Sequence, residues 1–360
     1  MESQKIHAFG NIEYRVSTSE LDVWHFSGAI TKPKRRYPTR TIDLENLDRI
    51  IDDYWIYVDH HIRSGILYEG SEEDQINFLD GLKTRGSEIS QAIFPVEVQK
   101  EIWKIAAESD IFVVSTNLPA IPFEALFSME YGKNGSFLSE NCVIQRQIDI
   151  EQDYAVDAAT SNASSTILYV DSELLEEEKD LESTLITELI DSEMSLVKTT
   201  TINALIDSAK DAAIIHWICE HSNDGLRLKR NVFYNKRDIM AHRFPQNCVL
   251  FMLSCAAARA ARSTLSKESS SISATLAGVS GCTVVAPSSV VAAQAAVKFV
   301  LDFDRILKQS RLSRLSDIWT RLKNPLGGRR SGAGITPEEC YLLWFGIYGD
   351  CNVKVRGEVS

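Results

Sequence analysis

The chain has 360 residues, of which 44% are hydrophobic, so it can bury a sizeable core as two domains or as one enlarged domain. Its formal net charge of -12 argues against a protein whose main task is to bind nucleic acid, because phosphate binding depends on Lys and Arg. No amino-terminal run has signal-peptide length and no stretch is long and apolar enough for a membrane span, so we expect a cytoplasmic protein with no membrane partner.

The first hundred residues predict short strands followed by longer helices. Apolar and polar residues alternate as in strands at Ile12–Val16 and Leu21–Ser27. Helical spacing follows at Leu44–Arg63 and at Gly86–Ile105, with an interruption near Pro95 in the second helix. Lys32–Arg40 is interpreted as a solvated basic loop, and contact with RNA or an acidic partner is the alternative.

The next segment predicts two strands with a turn and a helix between them. The strands are expected at Ile111–Ser115 and Cys142–Ile148, and a helix is expected to open near Pro122. Glu124 would lie in the first turn of that helix, where the helix dipole favours a carboxylate. Gln152–Ser165 has the composition of a linker. We therefore expect three regions, comprising residues 1–85, 86–160 and 161–360.

After residue 165 the pattern alternates strands with helices. The strands are expected at Ile167–Val170, Val197–Thr201, Ala212–Cys219, Val249–Leu253 and Thr283–Ala286, and the helices at Glu176–Asp191, Ile202–Lys210, Ser271–Gly278 and Val290–Gln309. Continuous apolar runs of this kind are typical of central strands in a parallel sheet that is covered on both faces. This half of the chain therefore predicts an α/β sandwich.

A histidine and a cysteine follow two of these predicted strands. His221 begins the polar loop after the strand that ends at Cys219, and Cys255 comes directly after Val249–Leu253 and Ser254. Sites of open parallel sheets lie beyond the carboxyl ends of the strands, and the intervening segment is long enough for one crossover connection. Each residue alone would more often be structural, but the pair is typical of nucleophilic catalysis.

The pair predicts a thiol nucleophile with an imidazole base. A helix start behind Cys255 would lower the pKa of its thiol, and His221 would carry its proton. The backbone amides of Ser222 and Cys255 are the candidates for holding the oxyanion. His216 lies inside a predicted buried strand, so we expect a hydrogen-bonded core or supporting imidazole rather than a second base. The chemistry requires no cofactor, and the other six cysteines are expected to be reduced core residues.

Around these residues the chain resembles the CHAT group of caspase-like cysteine peptidases, which are clan CD relatives of caspases and separases. The resemblance depends on blocks in a specific order, namely FVVSTNLPAIPFEALF at 112–127, IIHWICEHSNDG at 214–225, VLFMLSCAAARA at 249–260 and YLLWFGIYGD at 341–350. It implies a caspase-like α/β/α sandwich with a mostly parallel central sheet, to which residues 1–85 add an N-terminal α+β layer of unknown role. It also implies that His221 and Cys255 form the catalytic dyad.

The resemblance identifies fewer features of the substrate pocket. Where many members carry Trp and paired acidic residues after the next strand, this chain has Pro287, Ser288 and Ser289. Some members also carry an acidic residue at the position of Leu253, and Asp171 is the remaining acidic candidate. The candidate pocket residues are therefore Asp171, Ser254, Ser288 and Ser289.

The sequence thus predicts a cysteine endopeptidase that cleaves a specific protein. The family resemblance implies a bacterial defence or stress-signalling pathway, such as antiviral defence, with activation by a partner protein or an upstream protease. The alternative is a catalytically silent module that keeps the fold and binds a partner through its N-terminal layer. Nucleic acid is not expected as a partner.

Overall fold

The computed structural model describes residues 9–14, 20–27, 30–31, 35–38, 44–66, 70–116, 121–131, 135–140, 142–148, 165–170, 195–197, 201–210, 212–222, 225–229, 232–245, 248–254, 271–291, 293–309, 314–323 and 343–355. The chain divides into two compact units. The first comprises Met1–Asp149, Arg262–Ser269 and Lys323–Phe345, and the second comprises Ile150–Ala261, Ser270–Leu322 and Gly346–Ser360. None of the described helices has the length and apolar character that a membrane span requires.

The first unit begins with five strands, β1 (Phe9–Tyr14), β2 (Glu20–Ser27), β3 (Ile30–Thr31), β4 (Arg35–Pro38) and β5 (Ile111–Thr116). β2 pairs antiparallel with β1, β3 and β4, and β1 is also parallel to β5. The central part of the predicted basic loop is therefore the strand β4, in which Arg36 is the register partner of Asp22. Pro38, at the end of β4, is compatible with the extended backbone of a short strand.

Three helices lie between β4 and β5 in the chain, namely α1 (Leu44–Arg63), α2 (Glu72–Ile93) and α3 (Val96–Glu108). The bounds of α1 agree with the prediction. α2 begins before the predicted Gly86, because Ser71 and Asp74 form a reciprocal cap in which each accepts the other's backbone N–H at 3.2 Å. Pro95 separates α2 from α3, as predicted. The predicted boundary between residues 85 and 86 lies within α2.

The segment around Pro122 is not the helix that the sequence predicts. It forms a single 3-10 turn at Phe123–Ala125, followed by β6 (Phe127–Ser128), β7 (Ser136–Phe137) and β8 (Val143–Ile148), which is parallel to β5. Instead of lying at the start of a helix, the Glu124 carboxylate is buried and accepts hydrogen bonds from Nε of Arg146 at 2.9 Å and from its Nη2. A bidentate contact with a buried guanidinium replaces the helix dipole as the stabilising partner.

The second unit contains β9 (Ser165–Val170), β10 (Ser195–Val197), β11 (Ala212–Ile218), β12 (His221–Ser222), β13 (Gly225–Lys229), β14 (Val232–Tyr234), β15 (Val249–Leu253), β16 (Thr283–Pro287) and, except for its first residue, β17 (Phe345–Tyr348). Its helices are α4 (Ile202–Ala209), α5 (Lys236–Ala241), α6 (Ile272–Ser280), α7 (Ala293–Gln309) and, except for its last residue, α8 (Leu315–Lys323). The strand order β10-β9-β11-β15-β16 is parallel throughout, and β17 follows β16. The predicted linker Gln152–Ser165 lies outside the described residues except for Ser165, which begins β9, and the predicted helix Glu176–Asp191 lies outside them entirely.

Candidate active site

The carboxyl ends of neighbouring parallel strands lie level with one another in the second unit. Ile218 at the end of β11 is the register partner of both Val170 of β9 and Leu253 of β15. On the far side of β15, Val285 of β16 lies opposite Phe251. The polar residues that follow these four strands are Asp171 after β9, His221 after β11, Ser254 and Cys255 after β15, and Ser288 and Ser289 after β16. The predicted site residues thus follow one edge of the sheet, although Asp171, Cys255 and the side chain of His221 are outside the described part of the structure.

Strand β11 is buried on both faces, and its histidine is part of the core. His216 stacks on Phe251 with 4.8 Å between ring centroids, and Phe303 of α7 packs edge-on against it at 5.8 Å. Burial lowers the pKa of His216 to about 3, so its ring is neutral at ordinary pH. Neither ring nitrogen has a hydrogen-bond partner among the described residues. The expectation of a hydrogen-bonded imidazole is therefore corrected to an aromatic core residue that cannot serve as a base.

The backbone of His221 begins a small antiparallel sheet that the sequence analysis missed. β12 pairs with β13, with His221 opposite Leu226 and Ser222 opposite Gly225, and β13 pairs with β14. Gly225 has a φ of +128°, and a Cβ at this position would lie 2.4 Å from the carbonyl oxygen of Tyr234. The turn after His221 therefore requires glycine.

Aromatic side chains hold this small sheet against β11. Trp217 packs in a T-shaped contact with Tyr169 of β9, at 5.6 Å between centroids, and in tilted contacts with Tyr234 and Phe244 at 5.7 and 6.0 Å. The hydroxyl of Tyr169 donates to the carbonyl oxygen of Leu228 in β13 at 3.1 Å. The strand that carries His221 is thereby connected to a buried cluster of rings.

An ion pair connects the residue before β12 to strand β13. The carbonyl oxygen of Glu220 accepts the backbone N–H of Arg227 at 2.8 Å, and the Glu220 carboxylate lies 2.5 Å from Nη1 of the same arginine. The Arg227 side chain is 11% exposed and that of Glu220 is 56% exposed. Glu220, which precedes His221, therefore makes two contacts with Arg227, and Arg227 follows Leu226, the register partner of His221.

The end of β15 leads to the candidate nucleophile. Ser254 is buried, and its hydroxyl has no hydrogen-bond partner within the described part of the chain. Helix α6 begins with Ser271, whose hydroxyl accepts a first-turn backbone N–H at 3.1 Å, and Ser273 donates to the sulfur of Met252 at 3.8 Å. The amino terminus of α6 therefore lies beside the last residues of β15. The helix start expected directly after Cys255 falls outside the described residues.

The remaining candidate pocket residues follow β16. Ser288 and Ser289 are both buried, and residues 286–291 contain no charged side chain. Within residues 254 and 286–291, the ends of β15 and β16 thus carry buried hydroxyl groups and no charged side chains.

The five described cysteines are core residues, as predicted, whereas Cys340 lies outside the described residues. Cys142, Cys219, Cys248, Cys282 and Cys351 are buried, reduced thiols. Cys248 and Cys282 precede β15 and β16, at the amino ends of these strands. A hydrogen bond with Cys282 and burial raise the pKa of the Cys248 thiol, so it is a poor nucleophile. No cluster of His, Cys, Asp or Glu suited to a metal ion occurs among the residues that the structure describes.

Comparison with known proteins finds likeness in structure only. No family model and no curated protein match the sequence. Two crystal structures of the separase–securin complex of Saccharomyces cerevisiae are similar to this chain, with TM-scores of 0.57 and 0.54, 10% identity, and coverage of 95% of this chain and 30% of that chain. The complex of the pro- and mature domains of RgpB from Porphyromonas gingivalis matches with a TM-score of 0.46 and 10% identity, over 79% of this chain and 78% of that chain.

The likeness to separase, at 10% identity, shows the fold alone. The chain spans about 30% of the length of the separase chain that it matches. Separase is a caspase-like cysteine peptidase, and the mixed α/β structure with its mostly parallel sheet agrees with that fold. The predicted fold class is therefore confirmed: the chain has the caspase-like α/β fold of separase.

Proposed function

We propose that this protein is a cysteine endopeptidase of the CHAT type in which His221 and Cys255 form the catalytic dyad. The observation that carries the proposal is the parallel pairing of β11 with β15, in which Ile218 lies opposite Leu253. His221 follows the first of these level strand ends by three residues, and Cys255 follows the second by two. Sites of open parallel sheets lie beyond such strand ends. The peptidase fold of the separase structures supports the same reading.

In the proposed reaction, His221 takes the proton of the Cys255 thiol, and the sulfur attacks the carbonyl carbon of the scissile bond. The backbone N–H groups of Ser222 and Cys255 donate to the oxyanion that forms. Collapse of this intermediate breaks the C–N bond, and the imidazolium gives its proton to the leaving amine. Water then hydrolyses the thioester, which releases the new carboxyl group and restores the thiol.

Two features of the described residues support this assignment of roles. The amino terminus of α6 lies beside Met252, and the positive end of a helix dipole stabilises a thiolate. Burial keeps His216 neutral, so of the two histidines in this segment we assign the role of general base to His221.

We further propose a specific protein substrate, with Asp171, Ser254, Ser288 and Ser289 at its binding pocket. The family resemblance supports a role in bacterial defence or stress signalling, with activation by a partner protein or by an upstream protease. The separase structures are complexes with securin, which is consistent with a protein partner for this fold.

The test is cleavage of a fluorogenic peptide library that varies the residue before the scissile bond. Wild type, Cys255→Ala, His221→Ala and the matched control Cys248→Ala are compared. We expect both dyad variants to lose roughly 10³-fold or more in kcat/KM, because each removes a reacting group. Cys248→Ala should keep activity within a few-fold.

Two results would contradict the proposal. Cleavage retained by Cys255→Ala would exclude this nucleophile. Silence of the wild type, even after limited proteolysis and with proteins encoded beside its gene added, would favour the catalytically silent interaction module.

A further inference from the structure

We infer that the ion pair between Glu220 and Arg227 is a positioning device that fixes the catalytic imidazole of His221. The inference builds on the proposed function, because it assigns a task to the two residues that hold the strand of the proposed base. Neither residue is a candidate for contact with the scissile bond, so both are positioning residues rather than catalytic ones.

Strand β12 is too short to fix the position of His221 by its own pairing. The strand has only two residues, His221 and Ser222, and it pairs with β13 alone in its small sheet. Two register pairs restrict a strand weakly, because each backbone hydrogen bond contributes little net free energy. The hydrogen bond from the Arg227 N–H to the Glu220 carbonyl and the ion pair between their side chains extend this contact by one residue. Glu220 is thereby held at the point where the chain leaves β11 and enters β12.

The charged groups of Arg227 and Glu220 are unequally buried. Arg227 is largely shielded from water, with 11% of its side chain exposed, whereas Glu220 is 56% exposed. A shielded guanidinium depends on its carboxylate more than a solvated one does, since water cannot replace the lost partner. Surface pairs with two solvated ends contribute little to local order. The pair therefore restrains Glu220 towards a fixed arginine.

The charges of Glu220 and Arg227 should also affect the pKa of His221, an effect that simple stabilisation of the fold would not produce. The Glu220 and Arg227 side chains together carry no net charge, and Glu220 is the residue before His221. Removing the carboxylate leaves the Arg227 cation, which disfavours the imidazolium and lowers the pKa of His221. Removing the cation leaves the Glu220 anion, which favours the imidazolium and raises that pKa. The other titratable residues in β9, β11, β13 and β14, or next to the strand ends near His221 in sequence, are Tyr169, Asp171, His216, Cys219, Asp224, Lys229, Arg230, Tyr234 and Cys255. The variants below leave all of them unchanged.

The test titrates His221 by NMR, with histidine labelled at Cε1 and the signal assigned with His221→Asn. Glu220→Gln should lower the pKa of His221 by about 0.5 or more, and Arg227→Met should raise it by a similar amount. The double variant Glu220→Arg with Arg227→Glu restores neutrality and should return the pKa towards the wild-type value. Arg227→Lys keeps the charge and should leave the pKa near that of the wild type.

The same variants are assayed for peptide cleavage. Arg227→Met should lower kcat by about 10- to 100-fold with little change in KM, because a misplaced base impairs the chemical step more than substrate binding. Arg227→Lys should recover much of this loss. The matched control is Lys308→Met, which removes a partly buried ion pair with Asp304 of α7 at 2.9 Å and should change neither kcat nor the His221 titration.

The titration needs no substrate, so the two proposals can fail separately. A His221 pKa that shifts in the same direction in Glu220→Gln and Arg227→Met, or in neither, would overturn the inference whether or not the protein cleaves peptides. Opposite shifts in a protein that cleaves no peptide would uphold the coupling of the pair to His221 and reject the peptidase proposal.

Discussion

Histidine, cysteine and paired Arg–Glu side chains occur both in the buried interior and beside the carboxyl ends of the parallel strands. His216 lies between aromatic rings and has a pKa lowered to about 3, whereas His221 begins a hairpin five residues later. Cys248 precedes β15 and is hydrogen-bonded to Cys282, whereas Cys255 follows the other end of the strand. Position along the strand, rather than residue type, therefore separates the buried His216 and Cys248 from the proposed dyad residues His221 and Cys255.

The two Arg–Glu pairs differ in the same way. Glu124 and Arg146 have side chains that are 5% and 2% exposed, and their contact is bidentate. Glu220 is half exposed and meets Arg227 at the entrance to the hairpin. The first pair is a core element of its unit, and the second restrains a strand end.

The largest expected effect comes from breaking the interior pair. Glu124→Gln should lower the free energy of unfolding by about 3 to 5 kcal/mol, because it leaves the Arg146 guanidinium buried without its carboxylate. Glu220→Gln should cost less, about 1 to 2 kcal/mol, because Arg227 is shielded but the Glu220 carboxylate is half solvated. Urea unfolding at pH 7 measures both losses. Equal losses would remove the distinction between the two pairs.

The second effect concerns the two ends of β15. In the folded protein at pH 7.5, iodoacetamide should alkylate Cys255 at least about 100-fold faster than Cys248 or Cys282, because only a thiolate reacts and the pKa of Cys248 is raised. Peptide mass spectrometry after timed labelling gives the rates. His221→Ala should slow the labelling of Cys255, and in urea the three rates should converge. Rapid native labelling of Cys248 would contradict the comparison.

The smallest effect concerns the interior histidine. The pKa of His216 is about 3 in the folded state and near 6.5 in the unfolded state, so the unfolded chain binds a proton first as the pH falls. The resulting stability is complete above pH 6.5 and is lost towards pH 3, with a loss of about 2 kcal/mol between pH 7.5 and pH 5.

His216→Leu should remove this part of the pH dependence, because it removes the titrating group. Urea unfolding of both proteins at the two pH values measures the difference. An identical pH slope in wild type and variant would show that His216 is accessible to protons in the folded state.

Several local elements could be predicted from the sequence because their apolar spacing is strong. The bounds of α1 and of β15 agree with the prediction to the residue. The sequence also contains signals that were not used. The dipeptide Asp224-Gly225 is a typical hairpin signal in the sequence, and Gly225 is the first residue of β13. Leu315, Ile318, Trp319 and Leu322 have the spacing of the amphipathic helix α8.

Other features depend on contacts between distant residues, for which the local sequence carries no signal. The buried position of the Glu124 carboxylate depends on its contact with Arg146, which lies 22 residues away. The helix that the sequence around Glu124 predicts does not form. β1 pairs in parallel with β5 across about a hundred residues, and nothing in either strand specifies that partner. Such pairings depend on which elements pack together after the loops have closed.

The sequence by itself determined the segments of the parallel strands β9, β11, β15 and β16 and of the helices α4, α6 and α7, but not those of β12–β14, α5 or α8. It also determined that His221 and Cys255 follow two of those strands. The reason is that hydrophobic periodicity reports how each residue is shared between core and solvent. The tertiary structure alone decided that β11 and β15 are neighbours with level carboxyl ends, that His216 is an uncharged core ring, and that Arg227 holds the residue before His221. These features arise from packing between elements that are distant in the chain, and local periodicity contains no record of that packing.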